Sequence, residues 1–127
     1  MQTKPTILIV EDEPNLLELY RIALEQAGFA VFTAANGEVG YRMATGNPPD
    51  LVMLDILMPK VDGYQMLKLL KRTPETKNIP VIIFSNLSQA EEIEKGLKLG
   101  AKDYIIKTSV TPKVMVEKVK RWVQELR

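Results

Sequence analysis

The feature that most constrains this chain is a fivefold alternation: five short apolar runs are each followed by a longer stretch with helical spacing. The first run, Thr6-Ile7-Leu8-Ile9-Val10, has no polar alternation, so it suits a strand covered on both faces. The others are Phe29 to Ala34, Asp50 to Asp55, Pro80 to Ser85 and Asp103 to Lys107. After the first, Pro14 opens a helical pattern that carries Leu17, Tyr20, Ala23 and Leu24 to a stop at Gly28. Asn36-Gly37 starts a second helix through Tyr41 and Met43. Gly40 inside it costs roughly 1 kcal/mol against alanine, and close packing on the sheet would account for it. Met58-Pro59 and Asp62-Gly63 mark a turn before a third helix, from about Tyr64 to Lys71, and Pro74 to Asn78 reads as a loop. A fourth helix runs from about Ser88 to near Gly100. Thr111 caps the last helix with Pro112 at its first position, and Val116, Val119, Val123 and Leu126 form its buried stripe.

This order implies a parallel sheet with helices on both faces and right-handed crossovers. The length, 127 residues, is that of one domain with a core of its own, and no repeat or linker divides it. Ligands of such sheets bind beyond the carboxyl ends of the strands. Those ends are polar here: Glu11-Asp12 after the first strand, Asp55 after the third, Ser85 after the fourth and Lys107 after the fifth. The chain has no histidine and no cysteine, which excludes imidazole and thiolate metal sites, disulfides and Ser-His nucleophile activation. Clustered carboxylates repel unless a cation joins them, and a hard divalent ion such as Mg²⁺ is the natural one. A carboxylate is also a nucleophile toward phosphorus. A formal charge of +1 gives no reason to invoke nucleic acid or an anionic membrane. Apolar runs fall short of the roughly 20 residues of a membrane span, and Met1 to Thr6 lacks the pattern of a signal peptide, so a cytoplasmic location is expected.

Taken singly, these residues have plainer readings. Glu11-Asp12 suits a helix cap, Asp55 a turn, Ser85 a structural hydroxyl and Lys107 a solvated lysine. Tyr104 and Trp122 suit packing, and Lys68, Lys71 and Arg72 a solvated helix face. In combination they resemble something specific. The acidic pair Glu11-Asp12, Asp55-Ile56-Leu57-Met58-Pro59 with Gly63 beyond it, Ser85, and Gly100-Ala101-Lys102-Asp103-Tyr104 running into Lys107 occur in order, most of them at strand ends. Along essentially its whole length the chain is similar to the receiver domains of bacterial two-component response regulators, of the chemotaxis-receiver kind.

The resemblance implies a flavodoxin-like, doubly wound α/β fold, with five strands in order 2-1-3-4-5, five helices and a single receiver domain over residues 1–127. It implies Asp55 as phosphoacceptor, and Mg²⁺ on Asp12, Asp55 and the Leu57 backbone carbonyl, with Glu11 acting directly or through water. It implies Ser85 on a phosphoryl oxygen, Lys107 on Asp55 or its phosphate, and Tyr104 turning inward when Ser85 engages. The implied donor is a sensor histidine kinase, a histidine phosphotransfer protein or a small phosphodonor. The implied output is an effector protein or domain, reached through the face of the fourth helix, fifth strand and fifth helix. Direct nucleic-acid or membrane binding is not expected. A monomer and a phosphorylation-linked homodimer stay open, as does a stand-alone receiver against a piece of a larger regulator.

The chain departs from the family pattern at several points. Thr108 stands where proline usually follows the lysine, and Asn86 where a small residue usually follows Ser85. Leu57 and Leu87, two residues beyond Asp55 and Ser85, are apolar at positions that flank the phosphate, so a long-lived phosphoryl group is expected. Three other readings compete. A phosphotransferase or hydrolase using an aspartyl phosphate would want an acid/base aspartate where Leu57 stands. A pseudo-receiver would bind partners independently of phosphate. A flavodoxin would need a phosphate cradle where the acidic Glu11-Asp12-Glu13 loop lies.

Overall fold

The computed structural model describes residues 4–58 and 61–125. Its strands are β1 (Thr6–Val10), β2 (Ala30–Ala34), β3 (Leu51–Leu54), β4 (Val81–Ser85) and β5 (Asp103–Ile106). Its helices are α1 (Pro14–Gln26), α2 (Gly37–Gly46), α3 (Gly63–Arg72), α4 (Ala90–Lys98) and α5 (Pro112–Glu125). All strand pairs are parallel, in the order β2-β1-β3-β4-β5. This is the flavodoxin-like arrangement the resemblance implied. The reversal of order falls between β1 and β3, which is where such folds place a ligand.

Strand residues alternate between two cores. Leu8, Val10, Val52, Leu54, Val81 and Ile83 face one side, with Met66, Leu67 and Leu70 of α3 and Ala44 of α2. Ile7, Ile9, Met53, Ile82 and Phe84 face the other, against Tyr20 and Leu24 of α1 and Met115, Val119 and Val123 of α5. Both faces are therefore apolar, which is why β1, β3 and β4 read as unbroken hydrophobic runs.

Several expected details are met. The Asn36 side chain caps α2, accepting from the Val39 N–H at 2.9 Å. The Thr111 hydroxyl accepts from the Val114 N–H at 3.2 Å at the start of α5. A Cβ on Gly40 would lie 2.8 Å from Val10 Cγ2, so α2 needs hydrogen there to reach the sheet. Gly63 is tighter: a Cβ would strike the Asp55 carbonyl oxygen and stand 2.6 Å from Ile56 Cα. The start of α3 thus rests on the backbone of Asp55 and Ile56, and the Gly63 N–H donates to the Ile56 carbonyl at 3.0 Å.

Other details differ. Helix α4 starts at Ala90, not Ser88, because Gln89 is its N-cap residue and provides no side-chain cap. β5 stops at Ile106, and Lys107 opens a 3₁₀ turn through Ser109. Lys71 is not on a solvated face: its ammonium donates to the Ile79 carbonyl at 3.0 Å and the Lys77 carbonyl at 3.3 Å. Burial, aided by Lys102, lowers its pKa. Trp122 is half-buried, and its indole N–H donates to Asp103 Oδ2 at 3.0 Å, tying α5 to β5. Pro59 of the expected turn and Leu126 of the expected α5 stripe lie outside the described residues.

Gly63→Ala is expected to cost about 1–3 kcal/mol of folding stability, because the obstacle is backbone and cannot swing aside. Urea denaturation checks this, with the exposed Gly46→Ala, where nothing lies within 4 Å of a Cβ, as reference.

Candidate functional site at the carboxyl ends of the strands

The sheet hydrogen bonding runs one residue past β1 and β3. The Glu11 N–H donates to the Ala34 carbonyl and the Asp55 N–H to the Val10 carbonyl, each at 3.0 Å. The strand frame therefore holds Glu11 and Asp55 side by side. Both are buried, at 2% and 6% exposure, as is Ser85 at 0%, while Asp12 is exposed. Carboxylate oxygens of Glu11, Asp12 and Asp55 lie within 4.8 Å of one another.

The Lys107 ammonium lies between the two buried acids. It donates to Asp55 Oδ2 at 3.1 Å and, more closely, to Glu11 Oε1. Its side chain is only 8% exposed. Burial pulls this ammonium down, but the hydrogen bond to Glu11 and the charges of Asp55 and Glu11 outweigh it and raise its pKa. Burial pushes the Glu11 carboxyl up to about 7; Lys107 opposes this and the Asp55 charge adds to it. The two directions agree physically. Two acids hold one lysine charged, and one lysine does not replace the water that Glu11 has lost.

The plainer reading of the acidic pair, as a helix cap, is not met: the cap is the next residue. Glu13 is the N-cap of α1, its carboxylate accepting from the Asn15 and Leu16 N–H groups at 3.2 and 2.9 Å. That leaves Glu11 and Asp12 turned to the cluster. All donors are hard oxygens with net negative charge, a set that fits a small divalent cation such as Mg²⁺.

Ser85 ends β4 with its hydroxyl accepting from the Leu87 N–H at 3.3 Å, so in this state it is engaged within its own loop. The half-buried Tyr104 donates its hydroxyl proton to the Leu87 carbonyl at 2.6 Å. Leu57 is 57% exposed, and its N–H donates to Asp55 Oδ1 at 3.3 Å. Leu87 is partly buried against the α3-side core. Two features escaped the sequence reading. The Asn86 carboxamide accepts from the Thr108 N–H at 3.1 Å. Tyr64 of α3 donates to Glu92 of α4, 2.6 Å from its carboxylate and 2.9 Å from its carbonyl, while the Lys95 ammonium sits 4.3 Å from the Tyr64 ring centroid. Both join residues distant in the chain, and no local pattern marks them.

A buried, lysine-paired aspartate stands beside two further acids at the switch point of a doubly wound sheet, which makes this a doubly wound α/β protein with an acidic site. Comparison with known proteins gives the family. Residues 7–120 match the response regulator receiver domain, and the chain belongs to that family. It is similar to the "DNA-binding dual master transcriptional regulator RpaA" of Synechocystis sp., with 41% identity over 103 residues, covering 81% of this chain and 43% of that protein. Its structure is similar to a CheY-like receiver domain protein from Methanospirillum hungatei, with TM-score 0.89, 27% identity and coverage of 97% and 96% of the two chains. It is also similar to the signal receiver domain of a histidine kinase from Syntrophus aciditrophicus, with TM-score 0.87, 35% identity and coverage of 97% and 92%. The chain spans half or less of the length of the curated relatives it matches. Receiver domains are phosphoacceptors that bind Mg²⁺ at an acidic pocket, and Glu11, Asp12 and Asp55 form an acidic cluster here.

Lys107→Met is expected to lose about 3–5 kcal/mol, because two buried carboxylates lose their counter-charge, and adding Glu11→Gln should regain much of it. Denaturant melts of the single and double variants in metal-free buffer measure both.

Proposed function

We propose that this chain is a phosphorylation-dependent signalling switch in which Asp55 accepts a phosphoryl group from a phosphohistidine. The observation that carries the reading is the buried Asp55 carboxylate, paired 3.1 Å from the Lys107 ammonium and flanked by the Glu11 and Asp12 oxygens. An Asp55 oxygen attacks phosphorus, the O–P bond forms as the N–P bond of the donor histidine breaks, and the imidazole leaves with its electron pair. Asp12, Asp55 and the Leu57 backbone carbonyl, with Glu11 directly or through water, would hold Mg²⁺, which supplies neutralisation of the phosphoryl oxygens. Lys107 neutralises the same charge from the protein side. The Ser85 hydroxyl donates its proton to a phosphoryl oxygen, and Tyr104 turns inward as it engages, which changes the face of α4, β5 and α5.

The chain assists only its own phosphorylation and dephosphorylation and turns over no other substrate. Its donor is a sensor histidine kinase or histidine phosphotransfer protein, and its target is a downstream effector protein or domain. It binds neither nucleic acid nor membrane itself, acts in the cytoplasm as a single domain over residues 1–127, and is a monomer or a phosphorylation-linked homodimer. Among the described residues no helix is long and apolar enough to cross a membrane.

With a small phosphodonor such as acetyl phosphate, intact mass should rise by one phosphoryl group in Mg²⁺, not in chelator and not in Asp55→Asn. Absence of any gain would move the assignment to a pseudo-receiver that binds partners independently of phosphate.

The phosphoryl group should also persist for minutes or longer, because exposed Leu57 and core-packed Leu87 give an attacking water no polar partner. A decay time course checks this: loss within seconds refutes it, and Leu57→Asn with Leu87→Gln should hasten loss several-fold.

A further inference from the structure

The residues after Ser85 and Lys107, two of those that depart from the family pattern beside the site, are bonded to each other. The Thr108 N–H donates to Asn86 Oδ1 at 3.1 Å across 22 residues of chain. Neither half works alone: proline at 108 would have no N–H to give, and a small side chain at 86 no oxygen to accept it. We propose that this pair is a latch, in which Asn86 positions Ser85 through the loop they share and sets how readily Asp55 is phosphorylated.

Three bonds fix the loop from Ser85 to Leu87. The Leu87 N–H donates to Ser85 Oγ, the Tyr104 hydroxyl to the Leu87 carbonyl and the Thr108 N–H to Asn86. The last two reach the loop from β5 and the turn after it, so they anchor it to the segment that carries Lys107. In this arrangement the Ser85 oxygen accepts from the Leu87 N–H, a bond that does not use the hydroxyl's own proton. In the proposed step Ser85 is drawn toward a phosphoryl group on Asp55, Asn86 moves with it and the latch breaks. A bond present in only one of two states shifts their ratio by its own strength. Asn86 and Thr108 are both exposed, so that strength is modest. Its loss should raise the population of the phosphorylation-ready loop about two- to five-fold.

This inference rests on the phosphoacceptor reading of Asp55, and the test separates the two. Initial rates of phosphoryl gain from acetyl phosphate with Mg²⁺ are measured for wild type, Asn86→Ala, Thr108→Pro, the double variant and Thr108→Ala. Asn86→Ala and Thr108→Pro should each speed the reaction about two- to five-fold, and the double variant no more than either, because one bond is lost in all three. Thr108→Ala keeps the N–H and should react like wild type, which a role for the threonine side chain would not allow. Thermal melts confirm that each variant is folded. Additive effects, slower reaction in either single variant, or a gain in Asn86→Ala that Thr108→Pro does not share overturns the latch; the last result would make Asn86 a steric gate. If wild type gains no phosphoryl group, the phosphoacceptor reading fails and amide exchange decides the latch. Protection at Thr108 that disappears in Asn86→Ala then supports the bond as a tie between the two loops, with its control of phosphorylation overturned, and an unprotected Thr108 amide overturns the bond as well.

Discussion

Carboxylates gathered at one end of a sheet repel one another, and the Lys107 ammonium is what lets Glu11 and Asp55 stand there. It reaches both acids from beyond the end of β5, across the sheet positions of β4 and β3. The compensation is incomplete: one cation faces two buried acids, with a third, Asp12, at the rim. Such a site remains short of positive charge, which suits a divalent ion and the transfer of an anionic group. The deficit follows from the fold, because parallel strands send all their carboxyl ends to the same side.

Everything that places Asp55 is rigid. Its strand is buried on both faces, its N–H continues the ladder to Val10, and α3 rests on its backbone through Gly63. The parts that face it are held differently. Ser85 stands at the end of an equally buried strand, but the residues after it are fixed by a few side-chain bonds, two of which come from β5 and the turn that follows. A carboxylate fixed by backbone, beside a hydroxyl whose loop is held by side-chain bonds, is the arrangement the proposed switch requires.

Much of this was legible in the sequence. Unbroken apolar runs marked β1, β3 and β4 because both of their faces are covered, and polar residues at the ends of those runs marked the cluster. Strand order was not legible from alternation and came only with the family resemblance. Element ends were blurred where tertiary bonds decide them. α4 starts late, after a loop tied down at Ser85 and Leu87, and Lys107 turns into a 3₁₀ segment instead of finishing a strand. The capping role lay one residue beyond the acidic pair, since any of three consecutive acids could have taken it. Lys71 looked solvated because its helical position is peripheral, but the loop from Thr73 to Ile79 folds back over it and offers two carbonyls. Asn86 and Thr108 were each visible as oddities, but their bond was not, because it joins loops 22 residues apart.

Helix α4 buries a single residue, Gly96, whose missing side chain leaves room for Ile83 and Tyr104. Where α3 anchors itself with Met66, Leu67 and Leu70, α4 is clasped by the Tyr64–Glu92 hydrogen bonds and the Lys95 charge over the Tyr64 ring. Apolar burial resists sliding because every displacement opens a void, whereas a polar clasp can be exchanged for water at little net loss. The sheet is thus fastened unevenly, like a lid screwed down along one edge and merely hooked at the other. Motion at the strand ends is therefore resisted least beneath α4.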